Sequence, residues 1–292
     1  MEKKEKKQAI DIYKILTVVF AAVLIAVLIV LGRNWFVQHQ AEKEYEKLSS
    51  QVNELQGQMN DNAILINGET GSVAADKVTE SMEPQDSEST LQGATIPKKN
   101  LDWNKLHHVN GDIYAWIYIP GTEVDYPLLQ HPTDDSYYLN YNLNGTRGYP
   151  GCIYTEHANS KDFTDFDTVV YGHNMRNSSM FASLHNYEDS AFFANYPYVY
   201  IYTEENKVLV YEIYAAYQSD NAHILHTNDF STTEGKIAYL EKIVKNTNNS
   251  QKVKMPVELS VDSHLLTLST CVKGKSNKRF LVQAVLLNED EL

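Results

Sequence analysis

Leu265-Leu266-Thr267-Leu268-Ser269-Thr270-Cys271, followed by Arg279, is the stretch on which the reading of this chain turns. Leu265, Leu266 and Leu268 make a short apolar strand that ends on a thiol. A thiolate is the nucleophilic form of cysteine, and a guanidinium that never deprotonates can stabilise it or an oxyanion formed beside it. Most cysteines are small buried hydrophobes, so the thiol alone decides nothing. Its setting at a strand end, with a fixed cation close behind, makes it a plausible nucleophile, and the surrounding motif is what raises it further.

Working outward, short runs rich in Tyr, Val, Ile and Phe recur between turn residues at 115–119, 152–154, 168–171, 198–202, 208–218, 257–260, 265–270 and 279–287. This pattern predicts a mainly β domain whose strands form a closed or nearly closed barrel. Two helices are expected. One covers 103–109 and leads in; the other runs from about Thr233 to Lys245, with Ile237, Leu240, Ile243 and Val244 as its apolar stripe. Thr232 or Thr233 is placed to cap its start.

Residues 15–31 are apolar and uncharged, and with Ile12 and Tyr13 they approach the ~20 residues that span a bilayer. The run is longer than a signal-peptide core and leads into Gly32-Arg33-Asn34-Trp35 without a small-residue cleavage pattern, so an uncleaved transmembrane anchor is expected. Lys3, Lys4, Lys6, Lys7 and Lys14 precede it, against Arg33 and Lys43 just after it. The positive-inside rule then keeps the amino terminus, 1–14, in the cytoplasm and exports the rest. Beyond the span, Tyr45, Leu48, Val52, Leu55 and Met59 alternate spacings of three and four, the seam of a helical juxtamembrane stalk over 32–66. Weak self-association through that seam is an alternative use of it. Residues 67–97 turn to Gly, Ser, Thr, Glu and Asp and read as a flexible linker, leaving 98–292 as the exported domain.

The formal charge of −13 leaves no basic surface to track phosphates and excludes a general nucleic-acid binder. With only Cys152 and Cys271, no disulfide framework is implied, although one bridge between them stays open to sequence. A permanent bridge would silence Cys271 as a nucleophile, and Cys152 reads as a structural strand residue. His223 and His226 have a His-x-x-His spacing, but no third ligand lies near them in the chain. No metal and no cofactor is expected.

Val169-Val170-Tyr171-Gly172-His173-Asn174-Met175, then Thr-Leu-Ser-Thr-Cys at 267–271, then Arg279-Phe280-Leu281-Val282 resemble, in that order, the active-site motifs of sortases, the cysteine transpeptidases of Gram-positive bacteria. Asn110-Gly111-Asp112-Ile113-Tyr114-Ala115-Trp116-Ile117, the segment 122–129 with Asp125-Tyr126-Pro127, and Phe192-Phe193 extend the resemblance across the domain, and the amphipathic helix before the last strands is similar to that of class B members. The resemblance implies an eight-stranded sortase barrel. It implies that Cys271 attacks the carbonyl of a threonine in a sorting motif near the end of a secreted protein, forming a thioester. His173 would protonate the departing amine and Arg279 would bind the oxyanion. Tyr171, Ser269, Asp135 and Leu139 match substrate-flanking positions. The acceptor would be an amine of the peptidoglycan cross-bridge or its lipid-linked precursor. Pilin polymerisation, a hydrolytic cysteine peptidase and a non-catalytic membrane scaffold are the competing functions, and no third residue is assigned to orient His173.

Overall fold

Tyrosine- and valine-rich runs become the staves of a barrel because each can pair on both edges while burying one face. The structure is a computed structural model that describes residues 2–66, 90–91, 94–247 and 259–292. Its elements begin with α1 (Glu2–Ile66), the short pair β1 (Thr90–Leu91) and β2 (Ala94–Thr95), and α2 (Trp103–Val109). Then come β3 (Ile113–Tyr118), β4 (Asp125–Leu129), α3 (Tyr137–Asn140), β5 (Ile153–Thr155) and β6 (Asp167–Tyr171). A 3₁₀ turn at Ala182–Glu188 precedes α4 (Ser190–Asn195), β7 (Tyr198–Thr203) and β8 (Val208–Asp220). The chain ends with α5 (Ile224–Thr227), α6 (Thr233–Thr247), β9 (Leu265–Val272) and β10 (Lys275–Leu286), closed by a 3₁₀ turn at Glu289–Glu291.

The eight strands β3–β10 close in the order β10-β8-β7-β3-β4-β5-β6-β9, with β4–β5 and β6–β9 parallel and the other pairs antiparallel. One expected strand is replaced. Residues 259–260 are irregular and 257–258 lie outside the described residues, whereas 125–129, not expected as a strand, is β4. Pro127 hides β4 from a pattern reading because proline cannot donate to a ladder. In the barrel it faces Trp116 of β3, and β5 pairs only Leu128 and Leu129, so no partner on that edge needs the missing N–H.

The helix α1 is continuous through the apolar run, whose side chains are exposed, and it is long and apolar enough to cross a membrane. Past that run, Ala41, Tyr45, Leu48 and Val52 are buried, the last three within the barrel's own core cluster. Tyr45 donates its hydroxyl to the Gly151 carbonyl at 2.9 Å and meets Tyr126 edge-on. The predicted seam therefore packs, through these residues, on its own barrel; the side chains of Leu55 and Met59 lie outside the described residues. Residues 94–97 also lie on the barrel. Ala94 is buried, and Tyr200 and Tyr202 donate to the carbonyls of Thr95 and Pro97. Most of the expected linker, 67–89 and 92–93, lies outside the described residues.

The helix α6 packs on the barrel against β8. Its Tyr239 donates to the buried Asp167 carboxyl at 2.7 Å, and Thr267 does so at 2.9 Å. Gln283 donates to both Tyr239 and Thr267. Burial nevertheless dominates and lifts Asp167 to about 7. A carboxyl whose folded pKa is raised binds its proton more tightly when folded. Stability from this group is therefore full below about pH 4, the unfolded carboxyl's range, and falls as pH rises toward 7. We expect an Asp167→Asn chain in detergent to lose roughly 1–3 kcal/mol of that slope, read as urea midpoints between about pH 5 and about pH 8. An unchanged slope would show that Asp167 ionises freely in the fold.

Candidate active site

Two strand registers assemble the site. Strands β9 and β10 form a hairpin in which Arg279 lies directly across from Cys271, with Ser219 of β8 on its other side. Directly opposed residues hold their Cβ atoms about 4.5–5.5 Å apart, so eight residues of sequence collapse to one side-chain width. Strand β6 runs parallel to β9 with Tyr171 beside Ser269. The Gly172 N–H donates to Ser269 at 3.2 Å and Thr270 donates to the Gly172 carbonyl at 2.8 Å, so the pairing continues past the strand and carries His173 toward the level of Cys271. Gly172 permits this approach: a Cβ there would stand 2.5 Å from Ile153 and 2.7 Å from the Phe181 ring.

His173 is oriented by the main chain. Its Nε2 lies 2.8 Å from the Leu139 carbonyl, which only accepts, so Nε2 carries the hydrogen and Nδ1 is the open nitrogen of the neutral ring. The Tyr149 ring stands edge-on at 5.0 Å. Burial pushes the imidazole below its ordinary 6.5, and the Leu139 hydrogen bond opposes this in part.

Both cysteines are free, and they differ in kind. Cys271 is exposed. Cys152 is buried, donates to the Tyr141 carbonyl at 3.4 Å, and has a thiol pushed up by burial to about 12, which leaves it inert. The Cys271 carbonyl accepts from Asn174 Nδ2 at 2.8 Å and faces His185 Nε2 at 3.1 Å. His185 pairs in turn with Glu188 and stacks on Phe280 at 4.6 Å. These contacts fix the main chain under the thiol. Arg279 donates Nη1 to the carbonyls of Ser276 and Lys278, while its other nitrogens make no hydrogen bond among the described residues.

A cleft of about 240 Å³ gathers Leu139, Tyr171, His173, Ser269, Cys271 and Arg279. Asp135 is not part of its lining; its Oδ1 accepts from the His157 N–H at 2.7 Å and meets His157 Nδ1 at 2.8 Å. The rest of the lining includes residues that the sequence did not point to as part of this site, namely 219–224 and Lys242, Ile243 and Asn246 of α6. Asn174 could have been suspected as the neighbour of His173. Nothing in the sequence marks His185.

A thiol, an imidazole and a guanidinium share one cleft of a closed barrel, a set of groups chemically capable of cysteine-dependent acyl transfer. The chain belongs to the sortase family: the model of the Sortase domain matches residues 117–287. Sortase B of Listeria monocytogenes is 32% identical over 188 residues, covering 63% of this chain and 73% of that protein. Clostridium perfringens sortase B, 31% identical, superposes with a TM-score of 0.55 over 63% of this chain and 99% of that structure. A Streptococcus pyogenes class B sortase involved in pilus biogenesis is 25% identical, with a TM-score of 0.55 over 64% and 98%. The family is one of transpeptidases, and these relatives place the chain with class B.

Proposed function

We propose that this chain is a membrane-anchored transpeptidase that cuts a carboxyl-terminal sorting motif after threonine and passes the protein to a cell-wall amine. The observation that carries this reading is the cross-strand placement of Arg279 opposite Cys271 on a cleft shared with His173. The Cys271 Sγ adds to the threonine carbonyl carbon, and the carbonyl electrons move onto oxygen, where Arg279 meets the charge. The C–N bond breaks as His173 protonates the departing amine, leaving a thioester on Cys271. An incoming amine, its proton taken by His173, attacks the thioester carbonyl and frees the thiolate.

Tyr171, Ser269 and Leu139 line the cleft and are the expected flanking contacts for the motif, whereas Asp135 lies outside that lining and is bonded to His157. The apolar part of α1 supports a single-pass anchor, and the lysines before it support an amino terminus in the cytoplasm with the barrel outside. Pilin polymerisation is the second reading, favoured by the likeness to the Streptococcus pyogenes protein.

The test is mass spectrometry of the full chain in detergent with sorting-motif peptides, and triglycine or diaminopimelate as amine. A ligated product supports transpeptidation and names the motif class; hydrolysis alone supports a peptidase. A lysine-bearing pilin segment accepted in preference to either amine would select the second reading.

His173 also sets an expected pH response. The active pair is a thiolate beside a protonated imidazole, and the burial that lowers the His173 pKa disfavours the protonated ring. The kcat/KM profile should be a bell whose acid limb lies below 6.5. Tyr149→Ala admits water to the ring and relieves desolvation, so the acid limb should move up. A profile without a bell, or a limb that ignores Tyr149, would contradict this assignment.

A further inference from the structure

The His-x-x-His pair acquires in the fold the third ligand that the nearby sequence lacks. Glu156 follows β5 and is only 8% exposed. Its Oε1 and Oε2 lie 3.0 and 2.9 Å from His223 Nε2, yet Oε2 has no hydrogen bond of its own. His223 Nδ1 is likewise buried without a partner. The His226 ring stacks on His223 at 3.9 Å, and its imidazole makes no hydrogen bond among the described residues. One ligand atom from each of the three side chains lies within 4.8 Å of the other two. Tetrahedral zinc, with bonds of about 2.0–2.1 Å, holds its ligand atoms roughly 3.3 Å apart, so binding would draw the three side chains closer and turn the two stacked imidazoles out of parallel.

We propose that Glu156, His223 and His226 form a site for a zinc-class divalent cation on the wall of the cleft that holds Cys271. Two imidazoles and one carboxylate suit a borderline first-row ion and leave coordination open to water. They offer too few oxygens for calcium or magnesium. The backbone at Glu156 is already fixed, since its carbonyl accepts from Gln130 at 2.9 Å. A bound ion would tie the end of β5 to α5 and its lead-in. His223 and Ile224 line the cleft, and the Tyr171 ring lies 6.1 Å from His223, so the ion would set one wall of the cleft without taking part in the acyl chemistry.

The test uses the full chain in detergent, stripped with chelator, and carrying Cys271→Ser so that the exposed thiol takes no metal. Zn²⁺ is titrated by calorimetry and Co²⁺ by visible absorption, with Ca²⁺ and Mg²⁺ alongside. One Zn²⁺ per chain is expected, bound at least tenfold more weakly after His226→Ala or Glu156→Gln, with no heat from Ca²⁺ or Mg²⁺. The Co²⁺ bands should disappear with His226→Ala. His226 is exposed, so that variant should unfold in chelator at the same temperature as its parent. No stoichiometric zinc, or equal affinity in the His226→Ala chain, would overturn the site and leave Glu156–His223 as an ordinary ion pair.

Discussion

A Cys271→Ala chain should form no acyl-enzyme with any sorting peptide, and its turnover should fall by a factor on the order of 10⁶, the scale seen when a covalent nucleophile is removed. The fold should survive the change, because Cys271 is exposed at the end of β9 and alanine leaves its main-chain bonds with Asn174 and His185 intact. The second cysteine cannot substitute. Cys152 is buried, bonded to the Tyr141 carbonyl, and has a thiol held near 12. Iodoacetamide on the native chain should therefore add one group, at Cys271, and the Cys271→Ala chain should take up none. Persistent turnover in that variant, or alkylation at Cys152 without unfolding, would refute the assignment of the nucleophile.

Arg279→Ala should lower kcat by about 10²–10³, the cost of losing one donor to an oxyanion in a preorganised site. Arg279→Lys should recover little of it. The guanidinium anchors through Nη1 on the Ser276 and Lys278 carbonyls and still keeps its remaining donors for substrate. An ammonium is a single point charge and cannot do both in the same geometry. Thioester formation should slow in both variants while thermal unfolding stays within a few degrees of the parent. Recovery of full turnover in the Arg279→Lys chain would mean that charge alone matters and that the fork has no role.

The strand that ends on Cys271 is legible because Leu265, Leu266 and Leu268 form a short apolar run between turns, and the lead-in helix at 103–109 matches α2. The helix predicted from the Ile237–Val244 stripe is α6. Strand β4 was not legible, since the signal that proline gives depends on whether the edge it occupies is paired, and that is a property of β5 rather than of Pro127. The orientation of His173 was equally hidden. The Leu139 carbonyl that holds it is a main-chain atom, present in every residue type and therefore invisible to any search for a third catalytic side chain.

Local patterns of polarity and residue type thus determined by themselves the apolar span in α1, most of the barrel strands and both longer helices of the domain, while the resemblance of its motifs pointed to Cys271, His173 and Arg279 as the residues proposed for the chemistry. Only the tertiary structure decided how those residues meet: the antiparallel register that sets Arg279 across from Cys271, the parallel register that carries His173 beside β9, and the packing of Tyr45, Leu48 and Val52 against the barrel. It also brought Glu156 to His223 across 67 positions. The physical reason is that composition and periodicity act within one element, whereas register and main-chain hydrogen bonds are settled between elements, by closure of the barrel as a whole.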